Sequence, residues 1–156
     1  MMFDSHNEFS DGQAVTATAI STNVIDLYPM ADQADATRDI GTGEAVYVAI
    51  MTSTTITDAG SDATLVATLE SDSTANLATA PVVHLSSGTL AFATYATAGS
   101  LILVARLPAG RYKRFLGVRY TVASGPFTGG SIDAFLTHDA QLYRAYADRQ
   151  PITALA

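Results

Sequence analysis

The sequence predicts an all-β fold: an antiparallel jelly-roll or β-sandwich of about eight to nine strands, with an extended arm at each end. Three observations predict it. Apolar residues recur with a period of two rather than 3.6, which places alternate side chains on a core and in water. The runs that do so are short and rich in Val, Ile, Thr, Tyr and Phe, the residues that suit a pleated surface. Clusters of Gly, Pro, Asp and Ser separate these runs at intervals suited to tight reversals.

Taken in order, residues 1–13 are polar with isolated Phe3 and Phe9 and read as an N-terminal arm. Ala14–Ile20 alternates Val15, Ala17 and Ala19 with Thr16 and Thr18 and reads as the first strand, followed by a weaker one over Asn23–Tyr28. Ala45–Met51 is apolar on both faces, as a strand is when it lies centrally or under another chain. Ala63–Glu70 alternates Leu65, Ala67 and Leu69 with Thr64, Thr68 and Glu70. Pro81–Leu85 is a weak strand, Thr89–Tyr95 a further one, and Leu101–Leu107 is again apolar on both sides. Lys113–Val122 and Ser131–His138 complete the set. Turns are expected at Asp58–Asp62, Ser71–Ser73, Ser86–Gly88, Pro108–Gly110 and Ser124–Pro126. The sandwich is thus expected over residues 14–139. A C-terminal arm over 140–156 holds Leu142, Tyr143 and Tyr146 ahead of Pro151.

Composition narrows the function. Of 156 residues, 48% are hydrophobic, enough for one core, while only 15% are charged, against about 25% in typical domains. The missing charges are replaced by Thr, Ser and Ala, which tolerate being covered by other protein. No Cys is present, so disulfide scaffolds, thiolate metal sites and cysteine nucleophiles are excluded. No apolar run approaches the roughly 20 residues of a membrane helix. The acidic start lacks the regions of a signal peptide, so a soluble chain made in the cytoplasm is expected. Charge is uneven: residues 1–105 sum to −11 and residues 106–156 to +4, giving the net −7. Either late bases pair with early acids inside the domain, or opposite patches orient the subunit against a partner. The net acidity argues against direct nucleic-acid binding.

Catalytic constellations are missing from the sequence. His6, His84 and His138 are far apart, with none of the paired His spacing a metal site wants. Asp58 and Asp62 lack the ligand spacing of a calcium loop. Gly41-Thr42-Gly43 is a fragment of a phosphate loop with no helix after it. No Gly-x-Ser-x-Gly elbow occurs. The expectation is a protein that is not an enzyme and takes no cofactor or metal. The one basic run, Arg111-Tyr112-Lys113-Arg114, reads as a solvated hairpin end or as a contact with an acidic surface.

Three segments carry a resemblance. They are Ala14-Val-Thr-Ala-Thr-Ala-Ile-Ser-Thr-Asn-Val-Ile-Asp-Leu27, Arg38-Asp-Ile-Gly-Thr-Gly-Glu-Ala-Val-Tyr-Val48, and Arg119-Tyr-Thr-Val-Ala-Ser-Gly-Pro-Phe-Thr-Gly-Gly-Ser-Ile-Asp-Ala-Phe-Leu136. In this order they resemble the capsid cement (decoration) proteins of certain tailed bacteriophages, over roughly residues 10–140. The resemblance implies a jelly-roll subunit on the outer capsid surface of a virion, bridging neighbouring major capsid proteins after the shell expands. Expected partners are the major capsid protein and the chain itself, a dimer ahead of a trimer, with no nucleic acid and no membrane. Phe3, Phe9, Arg111, Lys113, Arg114, Leu142, Tyr143 and Tyr146 are the expected capsid or subunit contacts. A carbohydrate-binding, lectin-like sandwich is the alternative, with Tyr28, Tyr47, Tyr95, Tyr112 and Tyr120 as its stacking faces and no Trp to help them.

Overall fold

A computed structural model describes residues 5–27, 38–40 and 43–139. After one 3-10 turn at Ser5–Asn7 come β1 (Glu8–Ala14), β2 (Ala19–Ile20), β3 (Ile25–Asp26), β4 (Arg38–Ile40) and β5 (Tyr47–Asp58). Next are β6 (Thr64–Asp72), β7 (Val82–Ser86), β8 (Leu90–Ala91), a single helical turn α1 (Phe92–Tyr95) and β9 (Leu101–Arg106). The chain continues through β10 (Gly110–Tyr112), β11 (Phe115–Ala123) and β12 (Phe127–Thr137).

Two antiparallel sheets form a sandwich. One has the order β1-β12-β5-β9 and the other β2-β11-β6-β7, with β3 added to β11, β8 added to β6, and β4 paired with β10 beside them. Setting aside β3, β4, β8 and β10, the first, third, sixth and eighth strands share one sheet. The second, fourth, fifth and seventh share the other. The chain therefore crosses between sheets at every step but one, which is the jelly-roll order.

Period-two patterning explains the core. Leu65, Ala67 and Leu69 of β6 and Leu116, Val118 and Tyr120 of β11 point inward at 0% exposure. They face Val48 and Ile50 of β5 and Ile132 and Ala134 of β12, which belong to the same cluster. Each large side chain so buried contributes about 1.5–3 kcal/mol. β5 lies between β12 and β9. Its second face carries Ala49, which sits opposite Phe135 and Val104 in the register.

Several expectations are corrected. Residues 8–13 are not an arm: Glu8–Ala14 is a strand paired with β12. Phe9 is 0% exposed in the core, so it is no surface contact. A strand over Ala14–Ile20 does not form. The chain bends after β1, and the Gln13 amide spans the bend, accepting from Thr22 N–H at 2.9 Å and donating to Ile20 C=O at 2.9 Å. Thr89–Tyr95 yields only two strand residues before α1, because Tyr95 must turn into the core at 0% exposure. Ser71 and Asp72 end β6 rather than forming a turn. The reversal at Gly125-Pro126 does join β11 to β12, entered through Ser124 at φ +57°.

Register shifts bulge β12 against β5 around Gly129–Ser131. There Gly130 has φ +106°, and a Cβ would fall 2.5 Å from Ile56 Cα. Backbone strain and overpacking act together, so Gly130→Ala is expected to lower stability by about 2–4 kcal/mol in urea unfolding. Gly88→Ala, at φ +68° with open space around it, should cost only the local backbone penalty, about 1–2 kcal/mol.

Candidate interaction surfaces

The basic run is largely occupied in holding the fold. Arg114 makes a two-pronged pair with Asp26, Nε to Oδ1 at 3.0 Å and Nη2 to Oδ2 at 2.8 Å. Its guanidinium also lies 4.9 Å from the centre of the Phe115 ring. The Asp26 hydrogen bonds push the Arg114 pKa up, and the pair clamps β3 onto β11. Lys113 donates its backbone N–H to Ser71 Oγ at 3.0 Å, and its ammonium bonds the Ala80 carbonyl. Arg111 is exposed on β10, its Cα across from that of Asp39. Farther along, Arg119 Nε meets Glu70 Oε2 at 2.9 Å. Two late bases thus pair with two early acids, which is the local-pairing reading of the charge split. Of the expected contacts, Arg111 keeps an exposed charge, Lys113 and Arg114 are committed internally, and Phe3, Leu142, Tyr143 and Tyr146 lie outside the described residues.

The solvent face of the second sheet is covered around Gly117 by the sheet's own loop, while Thr121 and Ala123 farther along β11 stay exposed. Asp72, 0% exposed, accepts N–H groups from Ser73 at 2.6 Å, Thr79 at 2.8 Å and Ala80 at 3.1 Å. Burial raises the Asp72 pKa, but these donors outweigh it and hold the carboxyl below its ordinary value. Arg119 binds the Leu77 carbonyl from below. Leu77, fully buried, seats over Gly117, where a Cβ would come within 2.9 Å of Leu77 Cδ1. The sequence hides this arrangement, because the lock requires Gly117, Arg119 and Asp72 to converge from two strands.

The flank formed by β7 is different. It is the edge of its sheet, and Val82 and Val83 are 42% and 53% exposed. Behind them His84 stacks on Tyr112, ring centres 3.8 Å apart and 16° from parallel. His84 Nε2 lies 2.7 Å from Ser71 Oγ. That hydroxyl already accepts the Lys113 N–H, so it is free to donate its proton to a neutral imidazole. Burial lowers the His84 pKa.

At one end of the sandwich, a recess of about 200 Å³ is walled by Leu27, Ile40, Val46, Leu107, Leu116 and Leu136. His138 stands at its rim with Nδ1 3.1 Å from the Ala45 carbonyl. His84 and His138 make separate contacts and do not combine. Among the described residues no three His, Asp or Glu side chains are grouped to hold a metal ion. Asp58 accepts the N–H groups of Ala63 and Asp62, each at 3.1 Å, so the loop is closed on its own backbone. Gly41 and Thr42 lie outside the described residues.

Among the described tyrosines, Tyr95, Tyr112 and Tyr120 offer no exposed face to a sugar, each being 0% exposed. Tyr95 donates to Ala63 C=O and Tyr112 to Pro108 C=O, each at 2.8 Å, and burial pushes both pKa values up to about 12. Tyr28 lies outside the described residues, and Tyr47 is half-buried.

A family model, Bbp16, matches residues 9–136. The chain belongs to the Bbp16 family. The match opens at Phe9 in β1 and closes at Leu136 in β12, so the Bbp16 unit is the sandwich itself. A search of curated proteins finds no match.

In this Bbp16-family domain His84 makes stability depend on pH. Its folded pKa is depressed, so its contribution is complete above the unfolded value near 6.5. It is lost as the unfolded chain takes up the proton first and pH falls toward the folded value. Urea midpoints are expected to fall between pH 7.5 and 5.5 in the wild type. They should fall less in His84→Phe, which keeps the ring stacked on Tyr112; equal falls would assign the dependence to other groups.

Proposed function

We propose that this protein is a structural virion component that binds the outside of an icosahedral phage head and cements neighbouring major capsid proteins. The observation that carries the reading is the division of labour on the surface. Asp26, Glu70, Asp72, Arg114 and Arg119 are locked into fold-holding contacts, while an apolar pair on a sheet edge is left exposed. Such a surface suits adhesion to other protein rather than turnover of a substrate. The resemblance of the Ala14–Leu27, Arg38–Val48 and Arg119–Leu136 segments to cement proteins supplies the kind of partner.

Cementing needs no strong single bond. A protein that binds the assembled shell better than dispersed subunits stabilises the shell by linkage. A linked second foothold then binds at high effective concentration. Arg111, exposed beside the locked pairs, is the charge available to an acidic neighbour and acts from the rim of such a contact.

Purified protein added to expanded, undecorated heads of the phage that carries its gene is expected to bind the outer surface saturably and raise their disruption temperature. Arg111→Glu should weaken occupancy most at low salt, as for a rim charge. Absence of binding to such heads would overturn the reading.

A further inference from the structure

We infer that residues 140–150 form an amphipathic helix that lies across the outer face of the first sheet, seated on Phe135. Such a helix is the chain's own and forms whether or not the protein binds a shell.

Phe135 requires a cover. Its neighbours on β12, Ala134 and Leu136, join or pack against the core, so Phe135 points the other way and stands outside the core cluster. It is nevertheless only 5% exposed. Beside it in the register, Ala49 of β5 is also outside the core cluster and fully buried. Val104 of β9, next in the row, is half-buried. The close backbone neighbours of β12 among the described residues are β1, β5 and the Ser5–Asn7 turn, and the strands flank the ring rather than cap it. A large ring on the outer face of a sheet stays this dry beneath a further layer.

The sequence after β12 is suited to supply that layer. Asp139 donates its N–H to Thr137 Oγ1 at 3.1 Å, and that hydroxyl donates to the Asp139 carbonyl at 3.3 Å. β12 thus ends in a local turn, with Asp139 where a helix N-cap is favoured. Beyond it Leu142, Tyr143, Tyr146 and Ala147 fall on one side at helical spacing, and Gln141, Arg144 and Asp148 on the other. Pro151 then ends the run. Eight residues of helix rise about 12 Å, and β12, β5 and β9 together span about 10 Å. One helix therefore covers Phe135, Ala49 and Val104 at once. Residues 1–4 join the chain on the β1 side, away from Ala49 and Val104, and are the poorer fit. Leu142, Tyr143 and Tyr146 become contacts within the chain.

Amide hydrogen exchange of the full chain tests this. Residues 141–147 are expected to exchange at least about tenfold slower than an unfolded chain, equally so from about 1 to 100 μM protein. Phe135→Ser should abolish that protection while β6 and β11 keep theirs, and Phe3→Ser should leave it in place. Leu142→Ser combined with Tyr146→Ser should lower the urea midpoint, and this variant decides if Phe135→Ser unfolds the sandwich. Unfolded-chain exchange in the wild type, protection that survives Phe135→Ser or is lost in Phe3→Ser, or an unchanged midpoint in the double variant would overturn the proposal. So would protection that appears only at high concentration, which would assign the cover to a second copy.

Discussion

The fold depends on polar ties between its two sheets, set in an otherwise apolar core. Tyr120 of β11 reaches across to Ser10 of β1, oxygen to oxygen at 2.9 Å, with both residues buried. Tyr95 binds the Ala63 carbonyl ahead of β6, while its own carbonyl accepts the hydroxyl of Thr52 on β5. The rings fill the sandwich and their polar ends reach partners across it. A buried hydroxyl without a partner costs about 1–3 kcal/mol, so a slipped register, which would strand these groups, is disfavoured. Among the described residues no buried side-chain nitrogen or oxygen lacks a hydrogen bond.

The same economy governs the ions. A chain with 15 acids and 8 bases uses Asp26 with Arg114, and Glu70 with Arg119, to fasten short strands and a loop onto β11 and β6. Asp72 organises its loop through backbone donors rather than a base. Asp26, Glu70, Asp72, Arg114 and Arg119 are thus satisfied within the fold, while Asp11, Glu44, Asp62, Arg106 and Arg111 stand exposed.

Much of this was legible in the chain. β6 and β11 announce themselves because one strand face meets one core and alternation records that directly, whereas β9 shows as a run apolar on both faces. β1 does not, because it holds Phe9 as its one large apolar residue and is broken by Gly12 at φ +54°. β4 and β10 are three residues each, too short to show a period. The −11 and +4 halves were plain in the sequence, but their pairing was not, since it requires knowing that β3 and β6 both flank β11. Phe9 and the basic run were misleading for one reason: a large or charged residue in a polar stretch looks exposed until the topology supplies its neighbour. The charge-free run from Ser73 to Ala105 is visible in the sequence, yet it becomes a surface only once β7 is seen to be an edge.

The central claim is that the polar chemistry of this chain serves to hold the sandwich. A double-mutant cycle on Ser10→Ala and Tyr120→Phe, read by urea unfolding, measures it most directly. The account predicts that each single change destabilises and that the double change costs less than their sum, by about 0.5–1.5 kcal/mol of coupling. Strict additivity of the two changes would contradict it.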